Sequence, residues 1–137
     1  MRVLVTGSEG FLGSYLIPIL EAKGWTVERF DMVLGQNILN REQIAKAIKG
    51  CGTVIHLAAA LDERMGYPKL HEINVEGTRL LLEEALKAKV HHFVFLSSVG
   101  VMGNIKQQAT EKTPFNPITN YEKTKAEAEK LVHEFGH

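Results

Sequence analysis

Apolar residues fall along this chain in two alternating rhythms. Val3-Leu4-Val5, Val27 to Phe30, Thr53 to Leu57 and Phe93 to Leu96 are short runs rich in branched and aromatic residues, the length of strands. Between them, apolar positions recur at helical spacing: Leu12, Leu16, Ile19 and Leu20, then Ile44, Ala45 and Ile48 within 41–49. A longer helical stripe follows with Leu70, Ile73, Gly77, Leu80, Leu81 and Leu86, after a polar loop over 61–69. The last helix spans 119–135, with Tyr121, Lys125, Ala128 and Val132 on one face. Lys23-Gly24 and Gly50 read as helix stops. The succession β-α-β-α-β-α-β predicts an α/β fold, a doubly wound parallel sheet with right-handed crossovers. The run at 93–96 is apolar at every position and predicts a strand covered on both faces. The expected strand order is 3-2-1-4, with ligands bound outside the carboxyl ends of the strands.

The turn after the first strand carries the candidate chemistry. Thr6 is followed by Gly7, Gly10 and Gly13, spaced three apart, and the first helix begins there. A helix N-terminus reached through such a turn offers free backbone N–H groups and a positive dipole end to a dinucleotide's pyrophosphate. Gly7 serves the sharp turn, Gly10 the close approach of backbone to phosphate, and Gly13 the tight contact between helix and strand. Asp31 ends the second strand 18 residues after Gly13, where a carboxylate can accept both ribose hydroxyls of the adenosine half. The third strand runs into Ala58-Ala59-Ala60, small residues that let phosphate and ribose lie close to the backbone.

Composition narrows the picture. The 137 residues suit one domain, able to bury roughly two-thirds of the unfolded surface. Sixteen basic and sixteen acidic residues cancel, so neither a nucleic-acid partner nor an anionic membrane surface is indicated. Cys51 is the single cysteine, and a first strand starting at residue 2 leaves no room for a signal peptide; a cytoplasmic setting is expected. No apolar run approaches a membrane span. No metal is expected: His56 has no second ligand at suitable spacing, and adjacent His91 and His92 point to opposite faces of a strand.

Thr-Gly-x-x-Gly-x-x-Gly at 6–13 resembles the short-chain dehydrogenase/reductase superfamily in its extended, NAD-dependent epimerase/dehydratase branch, and so do His56-Leu57-Ala58-Ala59, Asn74-Val-Glu-Gly-Thr78 and Tyr121-x-x-x-Lys125. The resemblance implies a Rossmann-like NAD-binding domain over 1–137. It implies cofactor contacts from Gly7, Gly10, Phe11, Leu12, Gly13, Asp31, Leu57, Ala58, Ala59 and Asn74, and from Tyr121 and Lys125. Asn37-Ile38 stands where the family holds adenine with an acid-plus-aliphatic pair, or is an ordinary polar loop. Asn74 is expected to brace the active-site floor through a tertiary hydrogen bond. Tyr121 is implied as the proton-transfer residue, Lys125 as its electrostatic partner and nicotinamide-ribose ligand, and Ser98 as the hydrogen-bond donor to the substrate oxygen. Val101-Met102-Gly103 aligns with the family's Val-Tyr-Gly and favours Ser98 over Ser97. A phenol titrates at about 10, and an ammonium four residues away, together with the positive nicotinamide ring, is expected to lower it. Asp31 would repel a 2′-phosphate, which favours NAD(H) over NADP(H).

Members of that family continue with further strands and a substrate-binding lobe, which is expected to be absent here. The fourth strand is then expected at the sheet edge, favouring a homodimer or a partner chain. Three readings stay open: the NAD-binding part of an oxidoreductase acting on a small molecule such as a nucleotide sugar, a dinucleotide-binding module without turnover, and a truncated, self-associating fold.

Overall fold

The computed structural model describes residues 1–136; His137 lies outside the described residues. Four parallel strands, β1 (Arg2–Thr6), β2 (Thr26–Phe30), β3 (Thr53–His56) and β4 (His92–Phe95), form one sheet in the order β2-β1-β3-β4. The helices are α1 (Phe11–Ala22), α2 (Arg41–Ile48), α3 (Gly66–His71), α4 (Gly77–Lys87) and α5 (Asn120–Phe135). A π-helical turn, Glu72–Glu76, joins α3 to α4, so the helix expected after residue 70 is continuous but widened by one residue around Asn74.

The strand order corrects the expected 3-2-1-4. β3 pairs with β1, Val5 opposite Ile55, on the side of β1 away from β2. Right-handed crossovers that step in opposite directions along a sheet must lay their helices on opposite faces. They do: Ile17 and Leu20 of α1 pack on Val3 and Val5, whereas Ile44 and Ile48 of α2 pack on Leu4 and Val54 from the other face. The direction of winding therefore reverses at β1 and β3, and the glycine turn lies beside Ala58 instead of beside Ser98.

Two further corrections concern which faces are buried. In α1 the buried row is Gly13, Ile17 and Leu20, while Leu12 and Ile19 are exposed, because Gly13 must face the turn that precedes the helix. On β4, Phe93 packs beneath α4 and α5, but Val94 is 52% exposed, since among the described residues no helix covers that face of the edge strand. Leu86 is also exposed at the outer side of α4. α5 starts where a capping box closes it, Thr119 Oγ1 accepting from Glu122 N and Glu122 accepting from Thr119 N.

Candidate active site

The glycine turn is built by contacts a side chain would destroy. Gly7 has φ +72°, and a Cβ there would stand 2.7 Å from Ala58 N, so only glycine lets β1 turn against the end of β3. A Cβ on Gly13 would collide with Ser8 O and stand 2.6 Å from Gly7 O, so the close contact is between helix and turn. The first intrahelical bond of α1 is Ser14 N to Gly10 O, 3.0 Å. The amides of Phe11, Leu12 and Gly13 precede it, and neither a capping side chain nor a first-turn acid engages them. The side chains of Phe11 and Leu12 point away into solvent.

Asp31 lies against this turn. Its Oδ2 accepts from Glu9 N at 2.9 Å and its Oδ1 from Val33 N at 3.0 Å. Two amides thus orient the carboxylate and leave lone pairs for further donors. Asn37 folds back on its own loop, its Oδ1 accepting from Leu39 N at 2.9 Å. Ile38 packs on α4, where a Cβ at Gly77 would come within 2.8 Å of its Cγ2. Leu57, Ala58 and Ala59 follow β3 and are half-buried, Leu57 N donating to Thr6 O at 3.1 Å.

Asn74 is buried in the π turn. Its Oδ1 accepts from Ala60 N at 2.7 Å, and its Nδ2 donates to Ala60 O at 2.9 Å and to Thr124 Oγ1 at 3.1 Å. Thr124 Oγ1 donates to Tyr121 O at 2.8 Å. The side chain therefore binds the end of β3 to the first turns of α5, which is the tertiary bracing expected of a mid-helix asparagine.

The three candidate catalytic side chains sit at the carboxyl end of β4 and the start of α5. Lys125 is 3% exposed; its Nζ donates to Leu96 O at 2.6 Å and lies 4.0 Å from the centroid of the Phe95 ring. Burial lowers its pKa to about 8, with Glu129 acting in the other direction. Burial alone pushes the Tyr121 phenol above its ordinary value. In the free protein Lys125 alone does not produce the expected lowering: its ammonium is engaged by the end of β4 and does not offset the lost hydration of the phenol. Ser98 Oγ accepts from Gly100 N at 3.2 Å, capping the 3₁₀ turn Val99–Met102, whereas Ser97 Oγ donates to Glu129. Ser97 is thus committed to α5.

Sequence reasoning missed the residues that support these groups. Glu63 Oε1 accepts from Tyr121 N at 2.6 Å, holding the first turn of α5 from a loop 58 residues earlier. Phe95, Thr124 and Glu129 act across similarly long separations, and no local pattern marks them. The acceptance by Thr6 Oγ1 of Ala58 N at 3.3 Å belongs with them. Among the described residues no group of three metal-ligating side chains occurs, and no helix is long and apolar enough to cross a membrane.

The arrangement has counterparts of known chemistry. The chain is 36% identical to a sterol-4-alpha-carboxylate 3-dehydrogenase (decarboxylating) of Dictyostelium discoideum, over 96% of this chain and 47% of that protein. It superposes on a short-chain dehydrogenase/reductase superfamily protein from Agrobacterium tumefaciens, solved with bound NAD, with a TM-score of 0.91 and 33% identity, covering 98% of this chain and 44% of the other. The UDP-glucose 4-epimerase of Thermotoga maritima, solved with UDP-glucose, gives a TM-score of 0.90 at 26% identity, over 99% and 51%. This chain therefore spans about half the length of the relatives it matches. The family model of NAD-dependent epimerases and dehydratases matches residues 3–137, from β1 through the Tyr121 helix. With the parallel sheet, the glycine turn and the acid at the end of β2 all in place, the chain belongs to the NAD-dependent epimerase/dehydratase family.

Proposed function

We propose that this chain is the NAD(H)-binding part of an oxidoreductase and that Ser98, Tyr121 and Lys125 carry its proton chemistry. The observation that supports this most is the cradle at the carboxyl ends of β1 and β2. There the uncapped N-terminus of α1, the Gly7–Ala58 contact and the amide-oriented Asp31 carboxylate face one crevice. The residues fit a dinucleotide: the amides of Phe11 to Gly13 would meet its pyrophosphate, Asp31 its adenosine ribose, and the small strand end Ala58-Ala59 its second phosphate and ribose. NAD⁺, when bound, supplies a hydride acceptor.

The rest of the chemistry falls to the chain. The Tyr121 phenolate takes a proton from a substrate hydroxyl, or in the reverse direction the phenol gives it to a carbonyl, and the Ser98 hydroxyl donates to the same oxygen. The Lys125 ammonium has three donors, of which Leu96 O takes one, leaving the others for the nicotinamide ribose. The relatives named above act on a sterol carboxylate and on a UDP-sugar, so a hydroxylated ring is the proposed substrate class; nucleotide sugars are the form favoured by the resemblance in the sequence.

Titration of NADH fluorescence tests the binding, and Tyr121→Phe in the whole protein tests the chemistry. NADH affinity should stay within about twofold while turnover falls by about a hundredfold or more. Unchanged turnover would overturn the assignment of Tyr121. Saturable NADH binding with no turnover in any form of the protein would select the module that binds without reacting.

A further inference from the structure

His56, at the end of β3, is 2% exposed, and none of the roles above uses it. Both ring nitrogens are engaged: Nδ1 lies 2.6 Å from Thr6 Oγ1 and Nε2 lies 2.9 Å from Thr78 Oγ1. The outer partners decide the proton directions. Thr78 Oγ1 donates to Asn74 O at 2.7 Å, a carbonyl that can only accept. With its own proton committed, Thr78 can only accept from His56, which places the ring proton on Nε2. Nδ1 is left as an acceptor for the Thr6 hydroxyl, and Thr6 Oγ1 accepts in turn from Ala58 N at 3.3 Å.

One directed chain therefore runs from Ala58 through Thr6 into His56, and out through Thr78 to Asn74. Thr6 is the last residue of β1, immediately before Gly7. The Asn74 side chain carries the connection on to Ala60 and, through Thr124, to Tyr121 O. We infer that His56 is a positioning residue: held as the Nε2–H tautomer, it ties the glycine turn to the helix bearing Tyr121 and sets the two walls of the crevice relative to each other. The inference rests on the cofactor reading given above.

The surroundings agree with it. A second ring proton would oppose the Thr6 hydroxyl proton. The groups facing the ring are the rings of Phe93 and Phe95 and the ammonium of Lys125, whose charge opposes an imidazolium. Burial first, then Lys125, lowers the His56 pKa to about 3.

The test uses the full chain labelled with ¹⁵N-histidine. The His56 ring should show an unprotonated Nδ1 and a protonated Nε2, unchanged between about pH 5 and pH 8. On titration with NADH its resonances should shift with the same midpoint as binding. The opposite tautomer, a titration in that range, or a His56 signal that stays fixed while NADH saturates would overturn the inference. Thr78→Val, which keeps the shape and loses the hydroxyl, should weaken NADH binding about tenfold, and Thr78→Ser should restore it to within about twofold. A Thr78→Val protein that binds like wild type, or a Ser variant that rescues nothing, would overturn it as well. The wild-type spectrum decides the matter even where the Val variant does not fold. Wild-type protein that binds no NADH overturns the proposed function itself, and the tautomer measurement, made without cofactor, tells the two failures apart.

Discussion

Tyr121 and Lys125 show what spacing alone conveys about a residue. Four positions apart on one helix, they were legible as a pair, but the electrostatics between them were not. The ammonium is bound to Leu96 O and the face of Phe95, groups brought there by β4, and the phenol is governed by burial. In the free protein Tyr121 should therefore titrate above an ordinary tyrosine, and Lys125→Met should not move it upward by the unit or so that a direct charge pair would produce, about 1.4 kcal/mol. Phenolate absorbance, assigned with Tyr121→Phe and Tyr67→Phe, measures this; a Tyr121 transition below about 10 in the free protein would contradict it. His56 makes a second prediction at this scale. Its pKa is about 3 when folded and 6.5 in an exposed chain, so the unfolded state binds the extra proton first as pH falls. The stability it supports is complete above pH 6.5 and is lost toward pH 3, with a loss of about 2 kcal/mol expected by pH 5. Asp62, Glu84 and Glu122 are each held below the ordinary carboxylate range by hydrogen bonds, so their protonation adds to the loss only below about 4.5. Urea unfolding at the two pH values, in wild type and in His56→Gln, separates the contributions; equal slopes in both proteins would count against the histidine.

The elements were readable in proportion to how local their causes are. β1, the glycine turn and the Gly50 stop all lie within a few residues of what they control. The π turn at Glu72–Glu76 does not: it places Asn74 where its amide spans Ala60 and Thr124, and those partners are 14 and 50 residues away. Strand order was lost for the same reason, since the reversal at β1 depends on which face α2 covers, and that is fixed by Ile44 and Ile48 meeting Leu4 and Val54. Replacing Asn74 with alanine removes the partner of both backbone groups of Ala60. The expected cost is about 2–3 kcal/mol, with a matching fall in the midpoint of urea unfolding. Asn74→Asp should be no milder, because it sets a carboxylate oxygen against Ala60 O. A loss under about 0.5 kcal/mol would mean that solvent replaces the amide readily.

Across the whole molecule the sheet has one uncovered flank. β4 is one of its two edges, and Val94 and Leu96 are exposed at 52% and 41% on the face away from α4 and α5. An unpaired edge with apolar residues beside it favours association, and sedimentation at micromolar concentration should show a concentration-dependent dimer; a monomer of 15.3 kDa at all concentrations would contradict that. At the opposite edge of the sheet lies Asp31, the acid at the end of β2, oriented by Glu9 N and Val33 N toward the crevice. Arg29, the nearest cation in sequence, is paired with Glu9 and Glu21, each at 3.5 Å, which draws its charge away from a 2′-phosphate. The most direct test of the account is parallel titration of the protein with NADH and NADPH, followed by cofactor fluorescence, with Asp31→Ala alongside. NADH should bind saturably and at least about tenfold more tightly than NADPH, and Asp31→Ala should narrow that ratio. No saturable binding of NADH, or NADPH bound as tightly or more tightly, would contradict the crevice as described.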